Sequence, residues 1–258
     1  MSEIAVGLCS ACGLFAGMLV LMEAGRRLRR RDRRKHGDAA ASGLGATEGA
    51  VFGLMGLLLA FTFSGAASRF DTRRHLVIDE ANAIATAYLR LDLLPAQPQQ
   101  ELRHDLRSYV DARLAVYRAM PDEGRVRAAL AQQTELQQRI WGRSVAALQG
   151  APLPTVAAQL LPALGEMFDI STKRLANAKI HPPGIVYVLL GIVSLLCAVL
   201  AGYAMGANQT RTWLHEVGLA AILSVTLYVI VDLEYPRLGF FRVSEFDRLL
   251  VDVREQMR

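Results

Sequence analysis

The amino-acid sequence predicts an all-α integral membrane protein with four transmembrane helices and a helical bundle inserted between helices two and three. Three observations support this fold class. Of the 258 residues, 52% are hydrophobic, although the chain also carries 29 Lys and Arg and 24 Asp and Glu. The apolar residues are concentrated in uncharged runs. The longer runs match a hydrocarbon core roughly 30 Å thick, which a helix crosses at about 1.5 Å per residue.

The uncharged runs are residues 4–22, 49–68, 182–210 and 217–231. Buried helices of a soluble protein are the alternative, but the remaining polar sequence is too short to cover four of them. The first run is not expected to be a cleaved signal peptide, because Glu3 precedes it and the arginines follow it. We therefore predict transmembrane helices at residues 1–24, 46–68, 182–206 and 214–232.

The predicted loop at residues 25–45 contains the basic run RRLRRRDRRK. Short loops rich in Lys and Arg stay in the cytoplasm, and anionic lipid headgroups attract them. No aromatic residues that could stack on bases interleave the run, so nucleic acid is not an expected partner. The residues expected to set the topology are Arg26, Arg27, Arg29, Arg30, Arg31, Arg33, Arg34 and Lys35.

Because successive transmembrane helices cross in opposite directions, the side of the membrane on which each other segment lies then follows. The short loop 207–213 would be cytoplasmic. The N-terminus, residues 69–181 and the C-terminal tail 233–258 would be extracytoplasmic.

Residues 69–181 are predicted to form the helical bundle. No proline lies between Val51 and Leu94, so helix two is expected to continue beyond the membrane until Pro95 and Pro98 break it. Apolar residues three and four apart predict three further helices. These stripes are Leu102, Leu106, Tyr109, Val110, Leu114 and Tyr117; then Val126, Leu130, Ile140, Trp141 and Leu148; then Val156, Leu160, Leu161, Leu164, Met167, Phe168 and Leu175.

The C-terminal tail is predicted to form a short amphipathic helix. Ser244 and Asp247 resemble a capping box, and Phe246, Leu249, Leu250 and Val253 share one face. We expect this helix to lie on the membrane surface or to dock on the bundle.

Small residues recur every four positions in three of the membrane helices, a spacing that lets helix backbones approach closely. This packing would occur within one bundle, which we favour, or between subunits. The residues are Gly13 and Gly17, Gly49 and Gly53, and Ser194, Ala198, Gly202 and Gly206.

Motifs for catalysis or cofactor binding are scarce. Cys9 and Cys12 form a C-x-x-C inside an apolar helix, without the βαβ context of a redox site, and two thiols do not complete a zinc site. The five histidines are scattered without ligand spacing, and neither a phosphate-binding loop nor a G-x-S-x-G motif occurs. We expect no enzyme activity, no cofactor and no metal.

Two stretches resemble a known family. GAVFGLMGLLLAFTFSGAASRFDTRRHLVIDEANAIATAYLRLDLLP at residues 49–95 and DLEYPRLGFFRVS at residues 232–244 look like the bacterial bestrophin-like membrane proteins. The resemblance covers essentially the whole chain and implies kinship with pentameric anion channels. No pore-lining motif of the true bestrophins matches positions in this sequence.

Two functions remain open. The first is an oligomeric channel for a small anion, with Thr62, Ser64 and Ser68 as candidate pore-lining residues. The second is a non-conducting membrane protein whose bundle binds a partner or senses the state of the envelope. Charged residues near the membrane exit would govern ion entry or partner binding, or would simply form a solvated or ion-paired helix face. These are Arg73, Arg74, Asp79 and Glu80.

Overall fold

The computed structural model describes residues 3–36, 44–119, 122–150, 154–206, 213–235 and 248–257, and α-helices account for nearly all of them. In chain order they are α1 (Glu3–His36), α2 (Leu44–Arg90), α3 (Ala96–Ala119), α4 (Glu123–Gly150), α5 (Pro154–Asn177), α6 (Gly184–Met205), α7 (Trp213–Glu234) and α8 (Arg248–Gln256). A short 3-10 turn at Leu91–Leu93 follows α2. The all-α prediction is therefore confirmed.

The chain divides into two units, and the first comprises residues 1–70 and 181–242. This membrane unit contains α1, the first part of α2, α6 and α7. Each of these four helices is long and apolar enough to cross a membrane. Met22 of α1, Met55 of α2, Cys197 of α6 and Ala220 of α7 lie in one of its apolar cores.

Helix α1 extends further than predicted from the sequence. The basic run is not the loop assigned to residues 25–45, because α1 continues through it to His36. Arginine and lysine are good helix formers, and neither glycine nor proline interrupts residues 26–35. Residues 37–43 lie outside the part of the chain that the structure describes.

Helices α1 and α6 approach until their backbones nearly touch. A Cβ atom added to Gly202 would lie 1.9 Å from the carbonyl oxygen of Met22, and one added to Gly25 would lie 2.1 Å from that of Val199. Ser194 and Ala198 are also fully buried on α6. Small residues at these positions are therefore needed for the observed contact between the two helices.

The second unit comprises residues 71–180 and 243–258. This bundle unit contains the rest of α2, then α3, α4, α5 and α8, around a single apolar core. Ile84, Leu106, Ile140 and Leu164 are fully buried, one from each of the four long helices. Most residues of the predicted stripes thus form this core or pack against it, whereas Trp141 on α4 is exposed.

The C-terminal tail docks on the bundle. Leu250 of α8 and the following Met257 are buried in the core of the bundle unit. Arg254 forms a bidentate ion pair with Asp111 of α3, with both N–O distances 2.9 Å. Of the two locations expected from the sequence, the structure thus favours the bundle. The predicted capping box at Ser244 and Asp247 lies outside the described residues, as do Phe246 and residues 207–212 of the short loop.

The prolines between α2 and α3 differ in their effect. Pro95 lies between the 3-10 turn and α3, where it separates the two helices. Pro98, expected to break a helix, instead occupies the first turn of α3. A proline is tolerated there because the first backbone N–H groups of a helix have no partner within the helix.

Candidate functional site

One face of the apolar part of α2 is not covered by the described residues of the chain. Gly49, Gly53, Gly56, Ala60 and Ser64 follow one another at spacings of three and four, and all are exposed. A Cβ atom added to any of these three glycines would meet nothing within 4 Å. The opposite face packs into the membrane unit through Met55 and Ala66, which are buried.

The three candidate pore-lining residues do not share one environment. Ser64 and Ser68 are exposed and lie four residues apart, on the same side of α2. Thr62 is half-buried, and its hydroxyl donates to the carbonyl oxygens of Leu58 and Leu59 within the same helix. Only the two serines therefore lie on the uncovered side.

The small residues predicted to pack between helices also differ in their surroundings. Gly206 is in tight contact with α1, since a Cβ atom there would lie 2.8 Å from Cβ of Arg29. Gly17 lies next to Leu195, at a corresponding distance of 3.5 Å, whereas Gly13 has nothing within 4 Å. Gly17 and Gly206 thus lie in helix contacts, whereas Gly13, Gly49 and Gly53 have no such neighbour among the described residues.

The two ends of α7 carry buried carboxylates in ion pairs. Glu216 pairs with Arg26 of α1 at one end. Glu234 pairs with Arg69 of α2 at the other end, with Arg69 Nε 2.7 Å from Glu234 Oε1. The two glutamates are 18 residues apart in the sequence, which corresponds to about 27 Å of helix and matches the thickness of a hydrocarbon core.

Two of the eight predicted topology residues are buried in the membrane unit. They are Arg26 and Arg29. The guanidinium of Arg29 lies 5.2 Å from the ring centre of Tyr203, and the Tyr203 hydroxyl donates to Asp32 at 2.9 Å. The other six side chains are exposed on α1, namely Arg27, Arg30, Arg31, Arg33, Arg34 and Lys35.

The charged residues expected near the membrane exit are separated in the bundle unit. Arg73 is buried and donates from Nη2 to the carbonyl oxygen of Ile180 at 2.9 Å. Arg74 is half-buried and forms an ion pair with Asp71 at 3.2 Å. Asp79 is exposed, whereas its neighbour Glu80 is fully buried. These residues therefore do not form one charged face.

Glu80 lies in a buried polar cluster to which all four long helices of the bundle contribute. We call it the Glu80 cluster, and its members are Glu80 of α2, Arg113 and Tyr117 of α3, Gln133 of α4 and Arg174 of α5. Arg113 Nε is 2.5 Å from Glu80 Oε1, and Arg174 Nη1 is 2.6 Å from Glu80 Oε2. Arg113 Nη1 also donates to Gln133 Oε1 at 2.8 Å. The Tyr117 ring lies 3.9 Å from the guanidinium of Arg174.

Electrostatics in the Glu80 cluster favour the charged form of each partner. Burial alone would raise the pKa of Glu80, but the charges and hydrogen bonds of Arg113 and Arg174 outweigh it and hold that pKa below the ordinary value. Burial would lower the pKa of Arg113, but Tyr117 and Glu80 outweigh it and raise that pKa. The cluster is therefore a network of ion pairs and hydrogen bonds that connects four helices.

Arg113 and Arg174 are not among the residues predicted above, although the sequence contains a signal for them. Arg113 lies three and four residues after Val110 and Tyr109, on the buried stripe of α3. Arg174 occupies the corresponding phase on α5, four residues after Ile170. A cation at a core position of each helix, opposite an acid at a core position of α2, is the pattern expected of a buried ion cluster.

The cysteines and the possible metal ligands are the remaining candidates for site chemistry. Within the described residues, no three His, Cys, Asp or Glu side chains are grouped closely enough to hold a metal ion. Cys9 and Cys12 are free thiols exposed on α1, and Cys197 is a free thiol buried on α6.

Comparison with known proteins identifies the fold. A family model described as a bestrophin-like domain matches residues 12–246. A structure of a bacterial bestrophin homologue variant from Klebsiella pneumoniae is similar at a TM-score of 0.71 and 16% identity, covering 96% of this chain and 99% of the other. Another structure of a bacterial bestrophin homologue from Klebsiella pneumoniae gives a TM-score of 0.68 and 15% identity, covering 92% and 97%.

A further structure, described only as a membrane protein, matches at a TM-score of 0.70 and 14% identity, covering 94% of this chain and 95% of the other. No curated protein matches the sequence. The family resemblance seen in the sequence is confirmed, because the family model extends over nearly the whole chain. The chain therefore belongs to the bestrophin-like family and is a multi-pass helical membrane protein.

Proposed function

We propose that the chain assembles into a homo-oligomeric anion channel in which the uncovered face of α2 borders the ion path. The observation that carries this proposal is the row of exposed small residues from Gly49 to Ser64 on an apolar helix. Four helices of one chain rarely enclose a pore by themselves. Several copies, each turning this face toward a common axis, would enclose one.

The bestrophin-like family supports an anion as the transported ion, through its kinship with anion channels. The chemistry of the face is compatible with this ion. Ser64 and Ser68 are hydroxyl-bearing residues on the uncovered side. Leu57 and Phe61 of the same helix are apolar and are 52% and 69% exposed. Hydroxyl groups and apolar constrictions are both used by ion pathways.

Flux measurements on purified protein in liposomes test the proposal. We expect chloride efflux above that of empty vesicles, and we expect Gly53→Leu to reduce it because the larger side chain would narrow the path. Gly191→Leu on α6 is the matched control, since a Cβ atom at either glycine meets nothing within 4 Å. Absence of flux for chloride and other small ions would instead favour a non-conducting protein whose bundle binds a partner.

We propose that exposed charge just beyond the apolar segment tunes this flux. Arg74 and Asp79 are the members of the predicted charged set whose side chains reach the surface. For an anion, Arg74→Gln is expected to lower flux at low salt and Asp79→Asn to raise it, with both effects shrinking as salt rises. Equal flux from both variants and the wild type would remove these two side chains from the ion path.

We also propose the orientation that follows from the basic part of α1. The six exposed cations would lie on the cytoplasmic side of an inner membrane, with the N-terminus, bundle and C-terminus on the other side. Anionic headgroups would hold this part of α1 near the surface, at about 1 kcal/mol for each cation close to it.

A further inference from the structure

A second group of arginines in the bundle unit surrounds a single tyrosine. Tyr88 of α2 is 8% exposed. The guanidinium of Arg103 lies 5.2 Å from the centre of the Tyr88 ring, and Arg107 Nη2 lies 3.1 Å from the Tyr88 hydroxyl oxygen. Both arginines are on α3 and are four residues apart, so their side chains leave the same face of the helix.

Acidic neighbours balance only part of this positive charge. Asp92 pairs with Arg103 and also accepts a hydrogen bond from Gln99 at 2.9 Å. Asp111 is occupied by the bidentate pair with Arg254. Among the carboxylates that the structure describes, none forms an ion pair with Arg107. Among the described residues, Arg103 and Arg254 are thus each paired with an aspartate, whereas Arg107 is in no ion pair.

Donor groups in the same place are also unused. The Nε atoms of both Arg103 and Arg107 are buried, and neither has a hydrogen-bond acceptor among the described residues. A buried guanidinium donor without an acceptor is unfavourable by more than an ordinary hydrogen bond contributes. Two such donors beside one phenol, together with a cation that forms no ion pair among the described residues, are suited to an anionic acceptor with several oxygen atoms.

We propose that Arg103, Arg107 and Tyr88 form a binding site for a phosphate-type oxyanion. Planar guanidinium groups match the oxygen atoms of phosphate through paired hydrogen bonds, which a monatomic anion cannot accept in the same way. Tyr88 is the positioning residue, since its ring supports Arg103 and its hydroxyl holds Arg107. The oxyanion is either free phosphate or the phosphate group of a lipid headgroup. This site does not depend on whether the protein conducts ions.

Phosphate titration of the full-length protein in a neutral detergent tests the site. Chloride is replaced by gluconate at constant ionic strength, and binding is followed by calorimetry and by the thermal unfolding midpoint. We expect saturable binding of inorganic phosphate that raises the midpoint. Arg107→Gln is expected to weaken it about tenfold or more, because charge-assisted hydrogen bonds are lost. Arg118→Gln, an exposed arginine of the same helix, is the matched control and should leave binding unchanged.

Two further variants keep the test decisive if Arg107→Gln does not fold. Arg107→Lys retains the charge but removes the Nε donor and the planar fork, and Tyr88→Phe retains the ring but removes the hydroxyl. Each is expected to bind phosphate more weakly than the wild type while the Arg118→Gln control does not. Equal phosphate affinity in the wild type and in all folded variants at Arg107 and Tyr88 would overturn the proposal.

The source of the oxyanion is distinguished in lipid nanodiscs without added phosphate. If a headgroup occupies the site, phosphatidylglycerol should raise the unfolding midpoint above that in phosphatidylcholine, and Arg107→Gln should abolish this increment. If free phosphate is the ligand, the change in unfolding midpoint between the two lipids should be the same in the wild type and in Arg107→Gln. Added phosphate should then still stabilise only the wild type. No Arg107-dependent effect of either phosphate or lipid would exclude the site.

Discussion

At the scale of single residues, Glu80 is the acid on which the bundle depends. Replacing it by Gln would leave the buried guanidiniums of Arg113 and Arg174 without their carboxylate. Removing one partner of a buried ion pair typically destabilises a protein by about 3–5 kcal/mol. We therefore expect Glu80→Gln to lower the thermal unfolding midpoint strongly. The adjacent Asp79→Asn is the control, because Asp79 is exposed and its replacement should change stability by about 0.5 kcal/mol or less.

The same cluster predicts how the bundle responds to acid. The pKa of Glu80 in the folded protein lies below the ordinary value of 4.5, because two arginines outweigh the effect of burial. A carboxyl group of this kind contributes stability that is present above the ordinary value and is lost as the pH falls through the lowered one. Unfolding followed from pH 7 downward should thus show a loss of stability below about pH 4.5. Glu80→Gln should lack this part of the pH dependence, and parallel curves for both proteins would contradict the assignment.

Single residues are also where the sequence was least informative. Arg26 belongs to the basic run, and nothing nearby in the sequence distinguishes it from Arg27. Its buried partner Glu216 is nearly two hundred residues away, so only the contact between α1 and α7 places the two together. Glu80 and Asp79 are likewise adjacent acids on one helix, and only the packing of α3 and α5 buries the first and leaves the second exposed.

At the scale of elements, the continuity of α2 is the strongest structural feature. The helix runs for 47 residues from Leu44 to Arg90 and passes through Ala85. A proline inside a helix removes a hydrogen bond and clashes with the preceding turn, at a cost of about 3 kcal/mol or more. Ala85→Pro should therefore lower the unfolding midpoint of the protein.

The control for Ala85→Pro is Ala96→Pro, at the first residue of α3. The N–H group at this position is not needed inside the helix, and proline is favoured there. The two variants carry the same substitution in helices of the same unit. Unchanged stability of Ala85→Pro would show that no helix passes through that position.

The presence of each long helix is easier to predict from the sequence than the residues at which the helix ends. Periodic apolar residues and the absence of proline located the long helices, because both signals are local in the sequence. Trp141 on α4 is exposed although it is apolar. The type of a residue alone does not determine which way its side chain faces. The end of α1 is hard to predict because a run of charges is compatible with either a loop or an exposed helix, and arginine is a good helix former.

At the scale of the whole molecule, family and fold class were accessible from the sequence, whereas orientation follows only from the distribution of charge. Four apolar helices and the bestrophin-like match define a multi-pass protein. The two buried arginines of the basic run are engaged within the membrane unit, so they stabilise it whichever way the chain is inserted. The exposed cations lie on the surface of α1, where the environment would differ between the two sides of the membrane.

The orientation proposed above can be tested by changing only exposed cations. Replacing Arg30, Arg31, Arg33 and Arg34 by Gln keeps the buried Arg26 and Arg29 in place, so loss of folding does not confuse the result. Because the excess of basic residues next to the first apolar segment would fall, we expect a mixture of two orientations. Reporter fusions at residue 150, in the bundle, measure this, with an extracytoplasmic signal expected for the wild type and a mixed signal for the variant. A cytoplasmic signal from the wild-type fusion would reverse the orientation, and an unmixed signal from the variant would show that other charges, such as those at the start of the bundle, determine it.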